Sequence, residues 1–290
     1  LGAVPVLVDV RPGDHNVDPA AIERACTAKT RAIIPVHFAG VPADMDEISA
    51  IARARGIPVI ADAAHAFPVS YRGRNVGTLA DITCFSFYAT KTITTGEGGA
   101  AVTANEQWAD RMRIMSLHGI SRDAWKRYTA SGNWYYEVVA PGYKYNLTDV
   151  AAAMGLAQLA RAEQMRARRA EIARRYTEAL GSRDDVELLT HAGDRTHAHH
   201  LFVIKPRLDR LTVDRDRLVT ELKERGVGCS VHFIPLHMHP YYRDTFGYRP
   251  EDLPVAEAVY RRSISLPLFS AMTDAQVGRV VESACNVLAR

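Results

Sequence analysis

Only four cysteines, Cys26, Cys84, Cys229 and Cys285, occur in the 290 residues, and no two of them form a CxxC pair. That scatter excludes a zinc knuckle and a dense disulfide framework, and it predicts reduced thiols and a cytoplasmic protein. An excess of one charge is also lacking. Lys and Arg number 36 against 33 Asp and Glu, leaving a net +3. That field is too weak to recruit nucleic acid or an anionic membrane surface, so a small or locally bound ligand is the better expectation. No apolar run reaches the length that spans a bilayer, and the opening LGAVPVLVDV has none of the regions of a signal peptide. Internal repeats and low-complexity tracts are absent. A starting Met is absent too; the chain opens directly in a strand-like run, which predicts a cut N-terminus.

What is present reads as an α/β protein of two domains. In residues 1–150, apolar runs alternate with helical patterns as a mostly parallel sheet with helices on both faces requires. Val6–Val10 reads as a strand, followed by a helix that Asp18 caps with Pro19 in its first turn. IIPVHF (33–38) is the next strand. The following helix starts near Asp44, with Glu47 placed for a capping box, carries Met45, Ile48 and Ala52 on one stripe, and stops at Gly56. IPVIAD (57–62), DITCFSFY (81–88) and GGAAVTA (98–104) are further strands. The last two are joined too closely for a crossover helix and should pair antiparallel. Residues 147–180 read as one long connector helix bearing Ala151, Met154, Gln158, Ile172 and Tyr176. Beyond it, VELL, HLFVIK and GCSVHF read as strands and 213–225 and 273–288 as helices. Residues 151–290 thus form the connector and a smaller α+β domain.

The chemistry concentrates around SFYATKTITTGEGGAAVT (86–103), where one lysine, Lys91, stands between a strand and a glycine cluster. An amine becomes a nucleophile toward carbonyls when burial or nearby positive charge lowers its pKa, and it then forms a Schiff base. By itself Lys91 also reads as a solvated loop lysine, and Asp62, at a strand end before AAHA, as a helix cap. The pair says more than either residue. Open α/β sheets bind ligands outside the carboxyl ends of their strands, where both residues lie. A lysine and a carboxylate there match what pyridoxal phosphate needs: a covalent amine partner, and an anion that keeps the pyridine nitrogen protonated.

The stretches IIPVHFAGVPADMDEI, IADAAHAFPVSYRGRNVG, CFSFYATKTITTGEGGAAVT, LHGI, PGYKYNLTDVAAAMGLAQL and VHFIPLHMHPYYR together resemble the DegT/DnrJ/EryC1/StrS family of pyridoxal-phosphate sugar aminotransferases, over essentially the whole chain. AAHA and GYKYNLTD look closest to the branch that aminates a UDP-4-keto-pentose. VHFIPLHMHPYY looks more like the general 4-keto-hexose members. The resemblance implies a fold-type I transferase whose large domain, 1–150, binds pyridoxal 5'-phosphate.

It also implies residue roles. Lys91 would hold the cofactor and move the proton at the reacting carbon; Asp62 would pair with the pyridinium nitrogen; His65 would lie against the ring where many relatives carry glutamine. Ser86 would hydrogen-bond the phosphate, and Asn146 would reach the phosphate of a neighbouring subunit, making the site a property of a homodimer. Without the resemblance, His65 reads as a core or cap histidine and Asn146 as a turn asparagine. Gly96, Gly98 and Gly99 serve the turn after the lysine. His232, ahead of IPLHMHP, and Tyr143 are read as lining the sugar-nucleotide cleft. Relatives that act as 3-dehydratases carry histidine at the position of Lys91, so transamination is the implied reaction, running ping-pong from an amino acid, glutamate, to a nucleotide-linked keto-sugar. HAHH (197–200) with His232, His237 and His239 lacks a recognisable ligand set, and no metal is expected. Trp125, Trp134, Tyr135 and Tyr136 read as a substrate lid or as part of a dimer interface.

Family members begin with a segment that binds the phosphate at a helix N-terminus and stacks an aromatic on the cofactor ring, and this chain starts after both. The sequence therefore predicts a fragment that is poorly stable or inactive alone. Two other readings stand beside the aminotransferase. One is a degenerate or truncated family member that holds a sugar nucleotide or a partner subunit without turnover. The other is a different enzyme of the same fold, such as a desulfurase or an aldolase. The cysteines include no obvious loop nucleophile for the former of these two enzymes.

Overall fold

The computed structural model describes residues 2–121 and 135–289. Its first core gathers around the helix α2 (Met45–Arg55) and the strands β1 (Ile60–Asp62) and β4 (Ile82–Ser86). Met45, Ile48 and Ala52, spaced three and four apart, are buried on the one face of α2 that meets Val59, Ala61 and Tyr71. The helix stops at Gly56, whose left-handed backbone sends its N–H back to the carbonyls of Ala52 and Arg53. β1 runs parallel to β4, and β4 antiparallel to β5 (Gly99–Val102), as expected from the short link between them.

The stretch 33–38 extends the parallel sheet by separate bridges, Ile33 to Val59 and Val36 to Asp62. Pro35 lies between them and has no N–H to continue the ladder. A two-residue hairpin that the sequence pattern missed, β2 (Ser70–Tyr71) and β3 (Arg74–Asn75), turns through Arg72 and Gly73, both at positive φ. α1 (Pro19–Ala25) is capped by the Asp18 carboxylate, which accepts from Ala20 N, and α3 (Glu106–Ser116) by Asn105.

Three expectations fail for identifiable reasons. Val6–Val10 is not a strand. Among the described residues it makes only one isolated backbone bridge, Val10 to Val17, and the Tyr248 hydroxyl accepts from Leu7 N (2.8 Å) and donates to Pro5 O (3.0 Å). The capping box at Asp44 and Glu47 is not made, because Arg11 and Arg195 engage the Asp44 carboxylate instead. The 147–180 helix is two helices, α4 (Asp149–Leu159) and α5 (Ala162–Leu180). At the break Arg161 N bonds Gln158 O three residues back, and Arg161 leaves helical geometry (φ −111°, ψ 2°). Only α5 carries the buried stripe with Ile172 and Tyr176; α4 buries none of its residues.

The second core lies under α5, α6 (Arg215–Glu224), α9 (Asp274–Leu288) and the antiparallel sheet β6 (Val186–Leu188), β7 (Phe202–Pro206), β8 (Ile264–Leu266). GCSVHF is not a full strand: Ser230 bridges Ser265 on β8, and the chain then departs. α7 (Pro240–Phe246) and α8 (Pro254–Arg262) complete the fold.

Two devices join the cores. Arg195, 4% exposed in its side chain, bonds Asp44 and Asp194, donates to Pro42 O and lies over the Tyr71 ring at 4.7 Å. Beside it, Ala198 N donates to Gly40 O, and His200 N and Leu201 N to Ala39 O. Gly40 stands at φ +100°, and a Cβ there would lie 2.8 Å from both Ala198 Cβ and His65 O, so only glycine admits this approach.

α8 has no cap of its own. Asp9, far away in sequence, supplies one by accepting from Val255 N (2.9 Å) and Ala256 N (2.8 Å). Asp9→Ala should cost about 1–2 kcal/mol, the usual value of a helix cap, and Asp9→Asn less. Urea unfolding with an unchanged m-value checks this; an unaltered midpoint for Asp9→Ala would refute it.

Candidate active site

The parallel register pairs Asp62 with Cys84, so β1 and β4 end on the same edge of the sheet. Past β1 the chain turns at once: Asp62 Oδ1 accepts from Ala64 N (2.9 Å), and the turn closed by Ala66 N on Ala63 O carries His65. Past β4, a loop is pinched at its base by Phe87 N on Gly98 O (2.8 Å) and Thr95 N on Phe87 O (2.9 Å), and Lys91 sits within it. Gly98 makes the pinch possible. A Cβ there would fall 2.3 Å from Thr95 Oγ1, and its φ is +154°.

Lys91 is half-buried, and burial lowers its pKa from the ordinary lysine value while the Asp62 carboxylate opposes the shift. Among the described residues neither Lys91 nor Asp62 has an ion-pair partner within 4.0 Å. His65 is pushed down to about 3 by burial and then by Lys91 and His232. Its ring lies 4.2 Å from that of His200 and is stacked with Phe233 at 6.0 Å. His200 is held at about 2 by burial, with His65, Lys91, Arg169 and His232 adding to it. His232, lowered by burial and Lys91, shares a 2.8 Å hydrogen bond between its Nδ1 and Ser265 Oγ. The imidazoles are therefore neutral at pH 7, and the lysine is the cation they surround. Nδ1 of His65 and Nδ1 of His200 are both buried without a partner, a state that costs free energy unless a ligand or ordered water completes it.

The structure thus brings together Lys91, Asp62, His65 and His232. Ser86 ends β4, its Oγ accepting from Tyr88 N at 3.3 Å. Asn146 and Tyr143 stand apart: Asn146 is exposed and accepts from Lys144 Nζ, and Tyr143, 42% exposed, stacks on Tyr145. Trp125 and Trp134 lie outside the described residues. Sequence reading missed His200, Phe233 and Ser265. His200 was visible in HAHH, directly before the apolar run of β7, but that cluster was weighed only for metal; among the described residues no group of three ligating side chains converges.

These residues fit a pyridoxal-type cofactor. The site offers an amine of lowered pKa, a carboxylate without a counter-ion, a hydroxyl at a strand end and an orphaned imidazole nitrogen. A profile of the DegT/DnrJ/EryC1/StrS aminotransferase family matches residues 1–284. The chain belongs to that family. It is an enzyme, an aminotransferase, with the mixed α/β fold of the pyridoxal-phosphate-dependent aminotransferases. Among relatives of this family, the spore coat polysaccharide biosynthesis protein SpsC of Bacillus subtilis is 46% identical over 99% of this chain and 74% of its own. Spr1654 of Streptococcus pneumoniae in its PLP-form superposes with a TM-score of 0.88 at 31% identity, covering 99% of this chain and 76% of that one. The sugar aminotransferase CalS13 of Micromonospora echinospora gives 0.83 at 30%, over 95% and 72%.

Depressed imidazole pKa values should make this chain lose stability in acid. His15 and His65 (about 3), His37 and His199 (about 4) stay neutral when folded but take up protons near 6.5 when unfolded. Between those values the unfolded state binds more protons, so stability is full above pH 6.5 and falls as acid is added. Each such histidine contributes a slope of about 1.4 kcal/mol per pH unit. His65→Gln should flatten the slope between pH 6 and 4 by one such share in urea titrations. An unchanged slope would show that folded His65 carries a proton.

Proposed function

We propose that the chain transfers an amino group from glutamate to the 4-keto carbon of a nucleotide-linked sugar, using pyridoxal 5'-phosphate held at Lys91. Sugar aminotransferase activity itself comes with the family and its neighbours. The observation that carries the finer reading is the placement of Lys91: a half-buried amine of lowered pKa at one strand end, with Asp62 at the end of the adjacent parallel strand. Bound there, the cofactor supplies an electron sink for the carbon that loses or gains nitrogen.

The chain's own groups do the rest. Lys91 Nζ would hold the cofactor and, once displaced, take and return the proton at the reacting carbon, a task that the lowering of its pKa by burial favours. The Asp62 carboxylate would face the pyridine nitrogen of the cofactor and hold its proton. His65, neutral, packs against the ring without adding a positive charge that would compete with it. Ser86 Oγ would take the phosphate, and His232, steadied by Ser265, would face the sugar. The protein works in the cytoplasm as a homodimer to which the partner copy contributes Asn146. The exposed apolar Tyr145, Val150 and Leu156 beside that residue support this. Its two cores support a cofactor-binding domain over 1–150 and a connector plus small domain over 151–290.

Incubation with pyridoxal phosphate should give a visible absorbance band that Lys91→Ala lacks. Glutamate should bleach it with release of one equivalent of 2-oxoglutarate, and a nucleotide-linked 4-keto-sugar should restore it. Lys91→Ala should lower turnover by at least about 10⁴-fold. A protein with no Lys91-dependent band would instead be a non-catalytic binder. Bleaching by another amino acid and not by glutamate would overturn the donor.

A further inference from the structure

Arg169 lies in the middle of α5, 4% exposed, and among the described residues no carboxylate pairs with it. Its Nη1 donates to two backbone carbonyls, His199 O at 3.1 Å and Leu268 O at 3.0 Å, while its Nε is buried with no partner. Burial alone lowers this guanidinium to about 10. An uncompensated buried cation is destabilising by several kcal/mol, so its presence calls for a reason beyond packing.

Its two acceptors point to that reason. His199 stands in the left-handed region (φ +48°), a conformation uncommon for a residue with a Cβ, and its own N–H is tied to His197 Nδ1 at 2.8 Å. The next residue is His200, whose N–H reaches Ala39 O and whose ring lies on His65. Leu268 follows β8, the strand whose Ser265 hydroxyl holds His232. One guanidinium therefore grips the segment that carries His200 and the segment whose Ser265 holds His232.

We propose that Arg169 is a positioning residue for the amino transfer: by clamping the His199 and Leu268 carbonyls it seats His200 against His65 and His232 beside Lys91. Its charge adds a second effect. His200 faces His65, Lys91, Arg169 and His232, and His65 faces Lys91 and His232; every one of these disfavours an imidazolium, Arg169 permanently. Without the clamp the His200 ring leaves His65, water enters, and both imidazoles become easier to protonate.

The proposal rests on Lys91 being the reactive amine, and the test separates the two. Histidine-labelled, cofactor-free protein is titrated by NMR as wild type, Arg169→Met and Arg169→Lys, with His65→Gln and His200→Gln for assignment. The same proteins, loaded with pyridoxal phosphate, are then mixed rapidly with glutamate. In Arg169→Met, the His65 and His200 resonances should titrate at least one pH unit higher. The maximal rate of band bleaching should fall about 10- to 100-fold, the effect expected when reacting groups are displaced by about 1 Å. The half-saturating glutamate concentration should move less than threefold. Arg169→Lys, which cannot span both carbonyls, should show a smaller loss in each.

A cooperatively folded Arg169→Met with wild-type titrations and wild-type bleaching would reduce Arg169 to a packing residue. If Arg169→Met fails to fold, Arg169→Lys decides, and wild-type values there overturn the clamp. Wild-type protein that never shows the absorbance band would sink the functional reading while leaving the titrations readable.

Discussion

Three amide hydrogen bonds set the relation on which the rest of the molecule depends. Ala198 N on Gly40 O, and His200 N and Leu201 N on Ala39 O, join a loop of the first core to the entry of β7 in the second. The contact is close enough that Gly40 has no room for a side chain. Because backbone groups are fixed relative to their sheets, this junction allows little sliding. It puts a ring from the second core, that of His200, onto His65 from the first. The candidate site is thus two-sided: the end of β1 and the loop past β4 contribute Asp62 and Lys91, and the side of the second core contributes His200, His232 and Phe233.

Electrostatics follows from that geometry. Water is displaced from between the imidazoles, and each becomes harder to protonate, first because it is buried and then because a lysine and other imidazoles stand near it. The lysine feels the same loss of solvent, and its pKa is lowered although Asp62 pulls against the shift. A lysine whose pKa is lowered, set among neutral imidazoles and facing one carboxylate, suits proton transfer at a substrate carbon.

Much of this was legible in the sequence. The α2 stripe of Met45, Ile48 and Ala52 obeyed its period, Gly56 ended the helix, and the short β4–β5 link forced an antiparallel pair, because each rests on local rules. Asp62 and Lys91 could be paired before any coordinates because strand ends are where open sheets keep ligands. What failed was non-local. Asp44 looked like a capping residue until two arginines, one of them 151 residues away, engaged its carboxylate. Val6–Val10 had the composition of a strand and no neighbouring strand to pair with. The break at Arg161 carries no Pro or Gly, so no local signal announced it. His200 and Ser265 enter the site through tertiary contact alone, and HAHH, weighed only for a metal that was not expected, gave no sign of it.

The fastening of residues 5–9 to the far end of the chain also governs the order of events during synthesis. Leu7 and Asp9 find their partners more than 240 positions later, at Tyr248 and at the start of α8. While the ribosome makes the first core, Leu7 N and the Asp9 carboxylate are without these partners. Closure must wait until residue 256 has emerged. Contacts of such long sequence separation pay their loop entropy before any reward arrives. These two contacts therefore close late in synthesis, after the residues of the first core have been made.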